Sequence, residues 1–133
     1  MALRLAVIGY GYWGPNLVRN FFKLQGCQVV AVSDLRAERL DQVRRLYPSV
    51  EASGDSLALI RRPDVDAVAI VTPVATHYEL AREALCAGKH VLVSKPMTQS
   101  YREASELVEL ACRRNLVLMV DHTFIYSGPV RVI

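Results

Sequence analysis

The chain has 133 residues, 52% of them hydrophobic and 22% charged, which is enough for one domain with a substantial core and too few for a second full domain. Its net charge of +3, from 16 Lys and Arg against 13 Asp and Glu, alternates in sign along helical stretches and lacks the basic stripe with interleaved aromatics of a nucleic-acid surface. No apolar run approaches a membrane span and the run after Arg4 is too short for a secretion signal, while Cys27, Cys86 and Cys112 with His77, His90 and His122 show neither disulfide nor metal-ligand spacing, so a metal-free cytoplasmic protein is expected.

In chain order, β-branched runs alternate with amphipathic segments of helical length. The pattern predicts a strand over 3–8, a helix over 15–23, a strand over 28–32 and a helix over 35–46. A short strand over 50–52 and a short helix over 55–60 follow, then an unbroken apolar strand over 67–71. Thr76 and Glu79 have the spacing of a capping box, opening a helix that Gly88 stops; Ser100 and Glu103 repeat the spacing, opening a helix that Asn115 stops. Strands over 91–93 and 116–120 complete the series. This is the alternation of an α/β doubly wound parallel sheet in a single domain, whose ligand crevice lies outside the carboxyl ends of the strands. The apolar tail over 123–133 has no element of this domain to pack against.

The first turn carries the strongest chemical signal. Gly9-Tyr10-Gly11-Tyr12-Trp13-Gly14 follows a strand and opens a helix, with Asp34 roughly 20 residues on, the spacing of a dinucleotide site. Gly9 allows a tight exit from the strand, Gly11 lets main chain approach a pyrophosphate, and Gly14 lets helix and strand pack closely. N–H groups at Tyr12, Trp13 and Gly14 then face the phosphates from a helix N-terminus, and Pro15 suits the first turn because it has no donor to strand. At the end of the second strand Asp34, with Leu35 beside it, is placed to accept the adenosine ribose hydroxyls; a carboxylate repels a 2′-phosphate, so NAD is favoured over NADP. Arg36 and Arg39 weigh the other way as phosphate partners, and capping the helix near Leu35 is a competing role for Asp34.

Three more motifs follow later strands: Val71-Thr72-Pro73 with Thr76-His77, Gly88-Lys89-His90-Val91-Leu92-Val93-Ser94-Lys95-Pro96, and Asp121-His122-Thr123-Phe124. With the glycine turn and Asn16, nearly the whole chain resembles the N-terminal domain of the glucose-fructose oxidoreductase, inositol dehydrogenase and MocA (Gfo/Idh/MocA) family. The resemblance implies an NAD(P)-dependent oxidoreductase that moves a hydride between nicotinamide and a sugar, sugar-nucleotide or polyol carbon. It also implies a dinucleotide domain over 1–122, a connection over 123–133 to an α/β substrate domain, and a homo-oligomer in the full-length protein. Lys95 matches the family lysine that orients the reacting hydroxyl and helps move its proton, and is the expected catalytic residue. A surface charge is its bland alternative. Thr72 and Pro73 match positions walling the cofactor, His77 follows them as either a cofactor contact or an idle first helical residue, and His122 and Tyr126 match a hinge pattern near the nicotinamide.

Two positions depart from the family pattern. Ser94 stands where the Glu-Lys-Pro motif has its acid, which weakens the electrostatic support of Lys95, and Ile125 stands where many relatives carry arginine. A non-catalytic NAD-binding module is therefore the second reading. A third, an S-adenosylmethionine methyltransferase, shares the glycine turn and acidic residue but has no use for Ser94-Lys95-Pro96.

Overall fold

In the computed structural model, which describes residues 2–121, six strands form one parallel sheet in the order β3-β2-β1-β4-β5-β6. The elements are β1 (Leu3–Ile8), α1 (Gly14–Lys23), β2 (Cys27–Ser33), α2 (Ala37–Leu46), β3 (Glu51–Ser53) and α3 (Ser56–Ile60), then β4 (Ala67–Ile70), α4 (His77–Cys86), β5 (His90–Ser94), α5 (Tyr101–Arg114) and β6 (Leu118–Asp121). The helix expected over 35–46 begins later, at Ala37, because Asp34 and Arg36 are engaged with one another ahead of it. The tail over 123–133, with Ile125 and Tyr126, and His122 lie outside the described residues.

Alternation along β1 builds two cores. Leu5 and Val7 face one side, where Val18 of α1 and Val43 of α2 meet Val29 and Val32 of β2. Ala6 and Ile8 face the other, with Val68, Ile70, Val91 and Val93 packed against Ala81, Ala84 and Leu85 of α4 and Leu107 and Ala111 of α5. Strands buried on both faces read as continuous apolar runs, which is why β4 is Ala-Val-Ala-Ile with all four residues buried.

Helix ends follow local chemistry. Ser100 Oγ accepts the Glu103 N–H at 3.2 Å, and Asn115 closes α5 at φ +55. The box expected at Thr76 does not form. A short 3-10 turn over Val74–Thr76 precedes α4, and Thr76 Oγ1 turns back to donate to the Pro73 carbonyl at 2.7 Å, so it is unavailable to α4. The amino-end rim of the sheet carries a charged girdle: Arg4 binds Asp66 through both guanidinium and N–H, and the buried Lys89 Nζ donates to the carbonyls of Arg62 and Val65 at 2.6 Å each.

Candidate functional site

The carboxyl-end rim is where the sequence motifs gather. Read across the sheet, Asp34 follows β2, the glycine turn follows β1, Thr72 and Pro73 follow β4, Ser94 and Lys95 end and follow β5, and Asp121 ends β6. From β2 to β5 spans three strand spacings, roughly 14 Å. Asp34, Thr72, Pro73, Ser94, Lys95 and Asp121 line one cleft of about 920 Å³, together with Gly9, Gly11, Tyr12, Trp13 and Leu35, while Gly14 of the turn lies outside its lining.

Each glycine of the turn has its own steric reason. Gly9 adopts φ +101, and a Cβ there would stand 2.7 Å from the Val71 carbonyl oxygen, where β4 exits beside β1. At Gly14 a Cβ would meet the Gly9 oxygen at 2.4 Å, so glycine is what brings the head of α1 against the end of β1. A Cβ at Gly11 would meet only an Arg36 guanidinium nitrogen, at 3.4 Å, and otherwise point into the cleft. The Gly9 N–H is spent on the Ser33 carbonyl and the Tyr10 N–H on Asp34, while the N–H groups of Asn16 and Leu17 return to Trp13. Among the described residues, the N–H groups of Gly11, Tyr12, Trp13 and Gly14 have no hydrogen-bond acceptor. Pro15 adds no donor. The result is a run of unspent main-chain donors at the positive end of α1, the chemistry of an anion cradle.

Asp34 is tied into this turn. Its Oδ2 accepts the Tyr10 N–H at 2.8 Å, and its Oδ1 accepts both the Arg36 N–H at 2.9 Å and Arg36 Nε at 3.2 Å. Burial pushes the carboxyl up, but the two main-chain donors and the Arg36 guanidinium outweigh it and hold Asp34 below the ordinary carboxylate range. It is therefore anionic at neutral pH. It does not cap α2, whose N-cap is Arg36. With three donors already in place, the carboxylate keeps one lone pair, on Oδ2, so its engagement with Tyr10 and Arg36 leaves room for one ribose hydroxyl.

On the far side, Lys95 is exposed in the cleft and joined to Pro96 by a cis peptide bond. His77 departs from the expectation of a cofactor contact. It is 1% exposed and outside the cleft lining, because α4 starts beneath the wall rather than in it. Nor is it idle: its ring nitrogens lie 2.8 Å from the carbonyl oxygens of Pro96 and Thr72, with Ser94 Oγ at 3.4 Å. Sequence reasoning placed Arg36 nearby but did not rank it as a cleft residue, and it missed Ser33 and Ser56, whose hydroxyls meet at 2.7 Å in the cleft floor. An Asp–x–Arg at the end of a β2 strand was the available signal for the first; the second pair is joined only by the fold.

Residues 3–122 match the model of a family described as "Oxidoreductase family, NAD-binding Rossmann fold", Gfo/Idh/MocA. The chain belongs to this family. Among similar proteins, a UDP-N-acetylglucosamine 3-dehydrogenase of Acidithiobacillus ferrooxidans is 38% identical over 125 residues, covering 90% of this chain and 37% of that protein. A glycosyl hydrolase family 109 protein of Streptomyces coelicolor is 36% identical over 127 residues, covering 87% of this chain and 27% of that protein. The crystal structure of Synechocystis biliverdin reductase, solved with biliverdin and NADP+, superposes with a TM-score of 0.91 at 27% identity, over 96% of this chain and 40% of that one. This Gfo/Idh/MocA domain thus spans well under half the length of each of these relatives.

Proposed function

We propose that the chain holds a nicotinamide adenine dinucleotide along the carboxyl-end cleft and forms the coenzyme-binding part of a dehydrogenase acting on a sugar, sugar-nucleotide or polyol carbon. The observation that carries this is the run of unspent N–H groups from Gly11 to Gly14 at the head of α1, beside a cleft with Asp34 on one side and Lys95 on the other. The turn would hold the diphosphate, Asp34 the adenosine ribose, Thr72 and Pro73 the middle of the coenzyme, and Ser94 and Lys95 the nicotinamide side. The coenzyme supplies a hydride acceptor or donor when bound. Lys95, exposed beside that end of the cleft, would orient the substrate oxygen and take or return its proton. The sugar-derivative class is supported by the name of the Acidithiobacillus relative.

NAD is the preferred coenzyme in this reading, since the anionic Asp34 disfavours a 2′-phosphate. Arg36, half-exposed beside it, leaves NADP a weaker second, and NADP+ is the form bound in the Synechocystis neighbour. We keep residues 1–122 as the coenzyme domain, and 123–133 as the connection to a substrate domain in an oligomeric protein, within the same proposal.

Trp13 is the chain's one tryptophan and lines the cleft, so NADH is expected to quench its emission saturably. Emission unmoved by NADH but responsive to S-adenosylmethionine would overturn the reading. Asp34→Ala is expected to shift the affinity ratio toward NADP by roughly tenfold, as the loss of one charge-assisted contact implies; an unchanged ratio would leave Asp34 as a structural tie alone. With a family substrate domain joined after residue 133, Lys95→Ala is expected to slow turnover at least about a hundredfold. A non-catalytic NAD-binding module remains as the second reading because Ser94 replaces the family's acidic residue; full turnover with Ser94 in place would remove it.

A further inference from the structure

Both nitrogens of the buried His77 ring face main-chain carbonyls: Nδ1 the oxygen of Pro96 and Nε2 the oxygen of Thr72, each at 2.8 Å. A carbonyl only accepts. A neutral imidazole carries one N–H, so in either tautomer one nitrogen would press a lone pair against a carbonyl oxygen at hydrogen-bonding distance. Only the imidazolium, with two N–H groups, satisfies the arrangement.

The two carbonyls belong to different walls of the cleft. Thr72 lines it after β4, and Pro96 follows directly on the cleft residue Lys95 after β5. The ring reaches both because His77 is the first residue of α4, held under the β4 exit by the turn over Val74–Thr76. We infer that His77 acts as an imidazolium clamp, a positioning residue that fastens the Thr72 wall to the Lys95–Pro96 loop and so sets where Lys95 stands in the coenzyme cleft. The consequence for coenzyme rests on the dinucleotide reading above; the clamp itself does not.

The charges around the ring are accounted for element by element. Its three hydrogen-bonding neighbours, Thr72 O, Pro96 O and Ser94 Oγ, are uncharged. Lys95 lies on the β5 loop and Asp121 at the end of β6. On α4 itself are Glu79, Arg82 and Glu83, the last paired with Arg61 just past α3, and on α5 Glu103, Arg102 and Glu106, the last taken by Tyr78 and Arg102. Removing either of the two ring contacts would release one wall.

The test uses the full chain with 15N-labelled histidine at the pH of the binding assay; the ring N–H signals of His77 are the ones absent from His77→Gln. Two nitrogen-bound ring protons are expected, one for each carbonyl. The Kd for NADH, read from Trp13 emission, is expected to be at least about fivefold higher in His77→Gln, whose donors sit on one nitrogen and cannot span both carbonyls, the loss of one ordinary hydrogen bond. A His77 ring with one N–H, or NADH binding as tight in His77→Gln as in the parent, would overturn the clamp. If the substituted chain does not fold, triple-resonance assignment of the parent identifies the His77 ring signals directly, and the number of ring N–H groups decides. A parent chain that binds no NADH overturns the dinucleotide reading instead. The number of ring N–H groups then decides the clamp alone.

Discussion

Gly9 and Gly11 sit in opposite steric settings, one closed in by main chain and one nearly open. Gly9→Ala forces a side chain into positive φ and against the Val71 carbonyl, so it is expected to destabilise the fold by about 2–4 kcal/mol, measured by urea denaturation. Gly11→Ala meets nothing but Arg36 and should leave the urea midpoint nearly unchanged while weakening NADH binding, measured by Trp13 quenching. If both substitutions lowered stability alike, the turn would be structural and not a cradle. The two steric settings were legible in the sequence because a glycine at each position has a single steric meaning once strand and helix flank it. His77 was not legible. Its neighbours Thr72 and Pro96 are brought to it by the parallel pairing of β4 with β5, and a lone histidine near a helix start carries no mark of that.

Of the two Ser/Thr-x-x-Glu signatures in the chain, the one at Ser100 forms the serine half of a capping box, an N-cap to the Glu103 N–H, and the one at Thr76 forms neither half. Ser100→Ala is expected to cost about 1 kcal/mol, because its hydroxyl oxygen takes the Glu103 N–H, whereas Thr76→Ala should cost less than about 0.5 kcal/mol. Equal losses in thermal or urea melts would contradict the capping assignment. The difference has a local cause: Pro73 starts a tight turn before α4, and its carbonyl captures the Thr76 hydroxyl that a box would need. Strand and helix order was readable because buried parallel strands leave continuous apolar runs, as in β4. Boundaries drifted by a residue or two where polar residues do chemistry just beyond an element, as at Asp34 and Arg36 ahead of α2.

Over the whole molecule the sheet separates its two rims by task. The carboxyl-end rim gathers the cleft; the amino-end rim carries structural ion pairs, with Arg4 and Asp66 joining β1 to the approach of β4. The Arg4 guanidinium and N–H hold the Asp66 carboxyl down at about 2, below its ordinary value of 3.8. A depressed acid stabilises the fold above its unfolded value and loses that contribution as pH falls through the folded value. Stability should therefore decline between about pH 4 and 2, and Asp66→Asn should be less stable at pH 7 with a shallower acid limb, read from urea midpoints against pH. An unaltered acid limb would assign the loss to other carboxyls.

The donors left open from Gly11 to Gly14 belong to the peptide backbone, so a grip on an anion there would be indifferent to which side chains hang at 12 and 13. Tyr12 is 93% exposed and Trp13 39%, and their rings stack on each other with centroids 6.4 Å apart. Drift at these two sites should be nearly neutral for coenzyme retention: Trp13→Phe silences the optical reporter while a calorimetric titration still finds NADH. Evolution is free to repaint this corner of the molecule, provided it never adds a carbon to the glycines on either side.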